Sequence, residues 1–292
     1  MKNYKLTITL LLFVIFSCTR EADRPIREKY DKILVLGQNP LDMLLDLGVQ
    51  EKIVGVAYID NEEIVKQNIG MPVLSIGWPN KESLLSLKPD AIIALESAFK
   101  QQRIGNEGFW NKRGVKTCVI DDYNSDKTLN NYYKDLNLVG KTLNIKHKSD
   151  TIIAHLKKIE KKYTQIPHPP AQKVLHLSYT GIPDQFYYYP PSMCLLDEII
   201  TSCGGEYINL GSHYFIIPLE TIIKLNPDKI IVTRFRKRED ENIIQEIIKN
   251  PHIGHVKAIK NKQLIEVDYT QAIRGTTDMQ AIYSSTSNFL KK

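Results

Sequence analysis

The sequence predicts an α/β fold in which two similar lobes are joined by a stretch that contains only helix. The first observation is a repeat: residues 82–93 (ESLLSLKPDAII) and 220–231 (ETIIKLNPDKII) are identical at six of twelve positions. Each copy describes a short amphipathic helix, a Pro-Asp stop and an apolar run, which is typical of a helix leading into a buried strand. The second observation is that apolar runs and amphipathic segments alternate around both copies, which favours a mostly parallel sheet covered by helices.

The first lobe begins near Asp31 and alternates strands with helices in chain order. Its strands are predicted in five apolar runs: KILVLG, IVGVAY, MPVLSIG, AIIAL and VKTCVID. Its helices are predicted in PLDMLLDLG, which Gly48 closes, in the first repeat copy, and in FKQQRIGNEGFWNKRG, which also contains a turn. We therefore expect an N-terminal α/β lobe over residues 31–146.

The middle of the chain, residues 127–165, shows helical spacing and no strand pattern. Four aliphatic residues fall on one helix face, with lysines on another: Ile152, Ile153, Leu156 and Ile159. The consecutive prolines of PHPP at residues 167–170 cannot continue a helix. We expect one long interlobe helix over residues 147–166.

The second lobe repeats the same order of strands and helices around the second repeat copy. Its strands are predicted in KVLHLSY, KIIVTR and QLIEVD, and its helices in CLLDEIITSCGG, NIIQEIIKN and a last segment from about Asp278 to Leu290. We expect a C-terminal α/β lobe over residues 167–292. The two repeat copies therefore mark equivalent places in two related lobes.

The N-terminus has the pattern of a targeting segment. Two lysines precede an apolar stretch at residues 6–16, which is too short for a membrane-spanning helix. The stretch ends just before Cys18 and a polar string follows, so the segment resembles a bacterial lipoprotein signal. We expect a signal peptide at residues 1–17, a lipid on Cys18 and a polar tether at residues 18–30; an ordinary signal peptide with an incidental cysteine is the alternative. The mature chain would then be extracytoplasmic, in the bacterial cell envelope, and would contact the membrane only through its lipid.

Composition and cysteine spacing argue against several classes of function. The net charge of +6 is a mild and diffuse basic excess without a nucleic-acid-binding motif, so no nucleic-acid partner is expected. The sequence has no Gly-x-Ser-x-Gly, no phosphate-binding loop and no histidine–carboxylate spacing of a fixed catalytic metal, so we do not expect an enzyme. Cys118, Cys194 and Cys203 lack CxxC spacing, which argues against a thiolate metal site. Pairing of Cys194 with Cys203 stays open, although the predicted helix between them would hold the two apart.

The repeat motif is similar to one found in a known protein family. The pattern E-x-x-x-x-L-x-P-D before an apolar strand occurs at Glu82–Asp90 and again at Glu220–Asp228. The opening LVLGQNPLDMLLDLGVQEKIVGV also resembles the first strand, helix and second strand of this family, the substrate-binding proteins of ABC importers for iron-siderophores, cobalamin and haem. The resemblance covers about residues 31–290 and implies two Rossmann-like lobes bridged by a single long α-helix, with the ligand cleft between the lobes.

The chain departs from this family pattern at one place. The family often has Gly-Pro-Arg near the start of the last helix, where this chain has Gly275-Thr276-Thr277. The resemblance therefore assigns no role to the neighbouring Arg274.

The resemblance implies a transport function without an intrinsic cofactor. A membrane-tethered monomer would capture a small-molecule metal chelate and deliver it to the permease dimer of an ABC importer. A ferric siderophore leads among the chelates because basic residues lie near the predicted cleft; cobalamin and haem are the alternatives within the family. A tethered sensor, or a chelate-processing enzyme on the same scaffold, is the alternative of another class.

Glu82 and Glu220, the first residues of the two motif copies, are the candidate docking residues. The resemblance implies that one carboxylate on the outer end of each lobe contacts arginines of the permease. Two exposed charges far apart orient an encounter with little desolvation, so such a contact stays weak and transient. The alternative is that each glutamate is only a favourable anion in the first turn of its helix.

The candidate ligand-binding residues follow the predicted strands, because in a two-lobe α/β protein the ligand meets the loops at the carboxyl ends of the strands. Aromatic side chains are frequent there, and they suit a large flat chelate since rings give contact area and hydroxyl groups orient it. The candidates are Tyr58, Trp78, Ser97, Tyr179, Tyr188, His213, Tyr214, Arg234, Arg236 and Tyr269. Further residues at these strand ends are Gln38, Asn39, Glu96, Phe99, Tyr123, Ser178, Phe186, Tyr187, Tyr189 and Phe215.

The two arginines have a functional and a plain structural interpretation. Arg234 and Arg236 would lie on one side of a continued strand, where guanidinium groups suit catecholate, carboxylate or haem propionate oxygens. The alternative is a solvated loop whose charge is balanced by the acidic residues 239–241.

Three other candidates also have an alternative. His213 and Tyr269 are candidate ligands of chelated iron, but a lone histidine is more often a surface or packing residue, and no metal site of the protein's own is expected. Trp78 is the strongest candidate for the ligand wall, and core packing is its alternative.

Overall fold

The computed structural model describes residues 30–60, 70, 72–121, 127–166, 170–236 and 242–292. The predicted signal peptide at 1–17, the lipidation site Cys18 and all of the tether but Tyr30 lie outside the described residues, as do Tyr123 and the acidic residues 239–241. Among the described helices, none is long and apolar enough to cross a membrane.

The first lobe is built on a five-stranded sheet in which each strand pairing is parallel. Its strands are β1 (Ile33–Leu36), β2 (Ile53–Ala57), β3 (Val73–Ser75), β4 (Ala91–Leu95) and β5 (Lys116–Ile120), in the order β3-β2-β1-β4-β5. Its helices are α1 (Gln38–Asp46), α2 (Lys81–Ser86) and α3 (Glu107–Asn111). Alternate residues of β1 pack into two separate hydrophobic clusters, so the sheet is covered on both faces and its strands are continuous apolar runs. All five predicted strands of this lobe are confirmed.

Two helices lead from the first lobe to the second: α4 (Leu129–Thr142) and α5 (Lys146–Thr164). α5 contacts both lobes, since Lys148 Nζ donates to the carbonyl oxygen of Leu47 at 2.8 Å and the Tyr163 ring stacks on Tyr283 at 4.9 Å. Its position is consistent with the interlobe helix predicted at residues 147–166, and the lobe boundaries stay a prediction.

The second lobe is built on a mixed sheet. Its strands are β6 (Lys173–Tyr179), β7 (Phe186–Tyr188), β8 (Glu206–Tyr207), β9 (Phe215–Ile217), β10 (Lys229–Arg234) and β11 (Leu264–Glu266). The order is β11-β10-β6-β7-β9, with β8 also paired to β6. Its helices are α6 (Leu196–Ser202), α7 (Leu219–Leu225), α8 (Ile243–Lys249), α9 (Lys257–Lys260), α10 (Tyr269–Ile273) and α11 (Met279–Leu290).

Three strands of the second lobe were not predicted. β7 pairs antiparallel with both β6 and β9, so this part of the sheet departs from the parallel pattern. β7 and β9 have three residues each and β8 has two, which is too short for a recognisable apolar period in the sequence. β7 and β8 pair with the longer strand β6, and β9 then pairs with β7.

The two repeat copies occupy equivalent places, α2 followed by β4 and α7 followed by β10. The backbone N–H of Lys32 donates to Asp90 Oδ1 at 3.1 Å, and the N–H of Asp90 donates to the Lys32 carbonyl oxygen at 3.0 Å. The N–H of Lys173 donates to Asp228 Oδ2 at 2.8 Å, and the N–H of Asp228 donates to the Lys173 carbonyl oxygen at 3.0 Å. The Pro-Asp stop of each copy therefore aligns its strand with the first strand of its lobe.

Candidate functional site

A stacked pair of aromatic rings forms the first-lobe side of the cleft. Tyr58 directly follows β2, and its backbone N–H donates to the carbonyl oxygens of Ser75 at 3.1 Å and Gly77 at 3.2 Å. These bonds hold Tyr58 in the left-handed region with a φ of 54°, where its ring stacks on Trp78 with centroids 3.8 Å apart and planes inclined by 11°. The guanidinium carbon of Arg103 lies 4.3 Å from the Trp78 ring centroid. The first lobe therefore contributes a stacked aromatic pair with a cation against the Trp78 ring.

The end of β10 brings a second aromatic and cationic pair from the other lobe. Arg236 also has a left-handed backbone, with a φ of 57°. Its guanidinium carbon lies 4.8 Å from the Phe235 ring centroid and 5.5 Å from that of Tyr58. One of its Nη atoms donates to the carbonyl oxygen of Ile76, which belongs to the first lobe. Arg236 therefore bridges the two lobes at the cleft.

α10 and the residues that follow it supply the third part of the site. The guanidinium carbon of the buried Arg274 lies 5.6 Å from the Tyr269 ring centroid and 5.9 Å from the centroids of both Tyr58 and Phe235. The carbonyl oxygen of Arg274 accepts a hydrogen bond of 2.9 Å from Asn39 Nδ2. This segment therefore contacts the first lobe directly and places a second cation beside the ring of Tyr58.

Three tyrosines of the second lobe extend the aromatic surface. The hydroxyl groups of Tyr189 and Tyr269 are hydrogen-bonded at 2.9 Å, and the Tyr214 ring lies 4.8 Å from that of Tyr189. The carbonyl oxygen of Tyr189 accepts a 2.7 Å hydrogen bond from the Tyr207 hydroxyl, which lies 3.2 Å from Nδ1 of the buried His176. Burial lowers the pKa of His176 to about 3, so its ring is a neutral structural support beneath this wall.

Carboxylates accompany the cations between the lobes. One Asp60 oxygen accepts a hydrogen bond from the Thr270 hydroxyl of the second lobe, and the Asp60 N–H donates to Gln38 Oε1 at 3.3 Å. Gln38 Nε2 in turn donates to Asp42 Oδ1 at 2.8 Å. Burial raises the pKa of Asp60 above its ordinary value and raises the pKa of Asp42 to about 7. Among the described residues, no group of three or more histidine, cysteine, aspartate or glutamate side chains is suited to a metal ion.

The structure brings several predicted residues together and places others elsewhere. Tyr58, Trp78, Arg236 and Tyr269 meet in the cleft, and Tyr214 joins them through Tyr189. Arg234 is buried and its Nη2 pairs with Glu266 Oε1 at 3.0 Å. Of the remaining candidates, Ser97 contacts the cleft residue Arg103, whereas Tyr179, Tyr188 and His213 have local partners away from these rings.

Ser97 lies in a short 3-10 helix, and its carbonyl oxygen accepts a hydrogen bond from Arg103 Nη1 at 2.7 Å. The buried Tyr188 hydroxyl accepts a hydrogen bond from the N–H of Leu210 at 2.8 Å. Tyr179 is buried 6.0 Å from the Phe186 ring, and His213 is exposed at 3.2 Å from the Ser212 hydroxyl.

Four residues of the cleft were not among the predicted ligand-binding residues: Asp60, Arg103, Phe235 and Arg274. Phe235 lies between two predicted arginines, so its position after β10 was a usable signal. Arg274 carried no such signal because the expected Gly-Pro-Arg motif is missing. Arg103 and Asp60 reach the site through loops whose course the sequence pattern does not describe.

The candidate docking glutamates and the cysteines lie away from this cluster. Glu82 and Glu220 are exposed, each in the first turn of its helix, α2 and α7. Cys118, Cys194 and Cys203 are buried free thiols.

Comparison with known proteins gives matches over most of the chain. Residues 33–270 match the family model described as periplasmic binding protein. The chain is 25% identical over 246 residues to the Fe(3+)-citrate-binding protein YfmC of Bacillus subtilis (strain 168), covering 81% of this chain and 73% of the relative. It is 24% identical over 256 residues to the uncharacterized ABC transporter substrate-binding lipoprotein YvrC of the same organism, covering 84% of this chain and 75% of the relative.

Solved structures show the same fold. A periplasmic binding protein from Veillonella parvula DSM 2008 superposes with a TM-score of 0.74 at 19% identity, covering 89% of this chain and 84% of that one. The periplasmic haem-binding protein RhuT from Roseiflexus sp. RS-1 superposes with a TM-score of 0.71 at 19% identity, covering 89% of this chain and 98% of that one. At these identities the likeness concerns the fold alone.

Proposed function

The chain belongs to the periplasmic binding protein family of ABC importers, and on that premise we propose that it captures an anionic ferric chelate, with a ferric siderophore as the leading candidate, and delivers it to the importer. Members of this family are substrate-binding transport proteins rather than enzymes. The observation that carries the proposal is the Tyr58–Trp78 stack with three guanidinium groups around it, those of Arg103, Arg236 and Arg274.

The chemistry of this cluster suits a flat or aromatic ligand with negative charge. Aromatic faces give contact area, and a cation held near a ring both packs on it and attracts an anion placed beside it. Arginine is suited to this role because its planar fork forms paired hydrogen bonds with carboxylate or catecholate oxygens. A ferric catecholate complex has both aromatic rings and negative charge, and a ferric citrate complex has the negative charge. The relative YfmC, whose name specifies Fe(3+)-citrate binding, supports this class of ligand.

Haem is the second candidate, and one observation favours it. The hydrogen-bonded phenols of Tyr189 and Tyr269, with Arg274 beside the Tyr269 ring, offer oxygen atoms to an iron centre next to an aromatic wall. Cobalamin, the other family alternative, is supported by the aromatic pair of Tyr58 and Trp78.

Delivery is proposed to follow the family pattern. The exposed Glu82 and Glu220 would contact a permease dimer, one from each lobe, and the lipid predicted on Cys18 would keep the protein on the extracytoplasmic face of a membrane. The lobes predicted at residues 31–146 and 167–292 would close slightly around the ligand while α5 keeps them aligned.

The test is a fluorescence titration of the chain from Thr19 onward with ferric siderophores, ferric citrate, haem, cyanocobalamin, and free zinc or manganese. The protein has two tryptophans, and Trp110 is buried with its Nε1 donating to Ile104 at 3.0 Å. A Trp110→Phe variant therefore isolates the Trp78 signal. Saturable quenching by one chelate is the expected result, and calorimetry, which does not depend on the tryptophan signal, should find a weaker affinity in Trp78→Ala. Absence of binding to every chelate would exclude the proposal and favour a sensor or enzyme on this scaffold.

A further inference from the structure

Asp60 is an acidic residue within a cluster that otherwise attracts anions. It lies two residues after Tyr58 and accepts a hydrogen bond from the Thr270 hydroxyl across the cleft. Thr270 belongs to α10, the helix that leads directly into Arg274. Asp60 is therefore held at the contact between the lobes by a second-lobe segment that also carries one of the cleft cations.

Asp60 interacts with the same arginines that surround the Tyr58 ring. Burial is the largest influence on the Asp60 carboxyl group and raises its pKa, while the Thr270 hydrogen bond and the positive charges of Arg274 and Arg236 act to lower it. Arg236 and Arg274 lie 5.5 Å and 5.9 Å from the centroid of the Tyr58 ring. An anion placed against that ring therefore experiences two cations and the carboxylate that partly offsets them.

We propose that Asp60 sets the charge selectivity of the cleft, disfavouring strongly anionic chelates relative to neutral ones. This inference rests on the proposed function, because it concerns which chelates the cleft accepts. A carboxylate at this place repels each unit of negative charge on the ligand, whereas a neutral chelate is not affected in the same way. The protein would thus combine an arginine-rich site with a limit on the negative charge of its ligand.

The experiment compares two hexadentate ferric chelates of different charge: ferric enterobactin, which is triply negative, and ferrichrome, which is neutral. The measured quantity is the ratio of the two affinities at pH 7.5 and low salt. Where one affinity is too weak to measure, the ratio is calculated with the detection limit of the assay in its place. The variants are Asp60→Asn and Asp60→Ser, which remove the charge, and Asp60→Glu, which retains it. Asp150→Asn is the control for net charge, since Asp150 is an exposed residue of α5 that pairs with Lys146 at 2.7 Å.

We expect Asp60→Asn and Asp60→Ser each to raise the enterobactin-to-ferrichrome ratio by about tenfold, whereas Asp60→Glu and Asp150→Asn leave it near that of the unmodified protein. A change in folding alone would weaken the binding of both chelates equally and leave the ratio of the two affinities unchanged. An unchanged ratio in both uncharged variants, or an equal change in Asp60→Glu, would overturn the assignment. If the unmodified protein binds none of the chelates of the titration described above, the proposed function itself fails, and the role of Asp60 fails with it.

Discussion

Tyr58 and Arg236 face each other across the cleft, one from each lobe, and both have left-handed backbones. The guanidinium carbon lies 5.5 Å from the ring centroid, and the φ angles are 54° and 57°. For a residue other than glycine, this left-handed backbone conformation costs about 1–3 kcal/mol of strain. Such conformations therefore persist only where surrounding contacts hold them. One of the contacts between the lobes is therefore formed by two residues with strained backbones at strand ends, where a ligand would bind.

The strain at Tyr58 predicts an unusual order of stability among its variants. Tyr58→Gly and Tyr58→Ala both remove the ring, but only glycine adopts a positive φ without a steric penalty. We expect Tyr58→Gly to be more stable than Tyr58→Ala by about 1 kcal/mol in urea unfolding, although both lose chelate affinity. Greater stability of the alanine variant would mean that the backbone at this position is not strained.

The position of Arg103 against the Trp78 ring predicts that this residue contributes specifically to anion binding. Its guanidinium carbon lies 4.3 Å from the Trp78 ring centroid, so Arg103→Gln removes one of the cleft cations. We expect the affinity for ferric citrate to fall by about three- to tenfold, with a weaker dependence on salt. The matched control is Arg113→Gln, because Arg113 lies 3.7 Å from the Phe109 ring but on the exposed outside of the lobe. Equal losses in both variants would indicate a non-specific charge effect.

The aspartate of each repeat copy predicts a loss of stability when it is replaced. Asp228 accepts from the N–H of Lys173 and from Lys257 Nζ, and mainly because of Lys257 its pKa is lowered. We expect Asp228→Ala to lower the free energy of unfolding at pH 7 by about 1–3 kcal/mol. Since its pKa is lower in the folded state, this stabilisation is present above the unfolded value near 3.8 and is lost as the pH falls through the folded value. The difference between variant and parent should therefore shrink in acid.

The equivalent change in the first lobe, Asp90→Ala, should have an effect of similar size at pH 7. Asp150→Ala serves as the control for both, because an exposed pair on one helix contributes only about 0.3–0.5 kcal/mol. Loss of no more than this amount in the two repeat variants would contradict the role given to the Pro-Asp stops.

The raised pKa of Asp42 predicts a pH dependence of stability opposite in sign to that of Asp228. Burial raises its pKa from 3.8 to about 7, so the folded protein binds this proton more tightly than the unfolded chain does. The contribution of Asp42 to the stability of the protein should therefore be greatest below about pH 4 and should decrease as the pH rises towards 7. Asp42→Asn still accepts a hydrogen bond from Gln38, so we expect it to raise stability at pH 8 by about 1 kcal/mol or more and to reduce the slope between pH 4 and 7. Chemical unfolding at a series of pH values measures this, and an unchanged slope would contradict it.

Asp135 limits how far that slope can change. Its pKa is also raised to about 7, mainly by burial, so a part of the pH dependence should remain in Asp42→Asn and should decrease further when both residues are replaced. This makes the double variant the informative comparison.

The features that the sequence predicted are those that depend on local pattern. Long apolar runs identified the parallel strands of the first lobe, and the repeat copies identified Asp90 and Asp228 as equivalent positions with the same hydrogen bonds. The proximity of Tyr58 and Trp78 could be predicted from the sequence because both residues follow neighbouring parallel strands, whose ends meet at one edge of the sheet.

The features that were missed depend on contacts between distant parts of the chain. Arg274 meets Asn39 and Tyr58 more than 200 positions away in the sequence, and no local pattern marks such a contact. The arginines predicted to share one side have different environments, because Arg234 pairs with Glu266 of the neighbouring strand while the side chain of Arg236, whose backbone is left-handed, contacts the first lobe. The direction of a side chain after a strand end is decided by these tertiary contacts.

Because Glu82 and Glu220 are exposed outside the cleft, we predict that replacing them impairs delivery of the ligand and leaves ligand binding unchanged. In cells that carry the full chain and its importer, we expect Glu82→Ala or Glu220→Ala to reduce uptake of the bound chelate severalfold, and the double variant to reduce it almost completely. Chelate affinity measured on the purified protein should not change, because both residues lie on helices outside the cleft. Glu51→Ala and Glu206→Ala are the matched controls, since each removes an exposed carboxylate from one lobe. Normal uptake by the double variant would mean that the two glutamates are only favourable anions in the first turns of their helices.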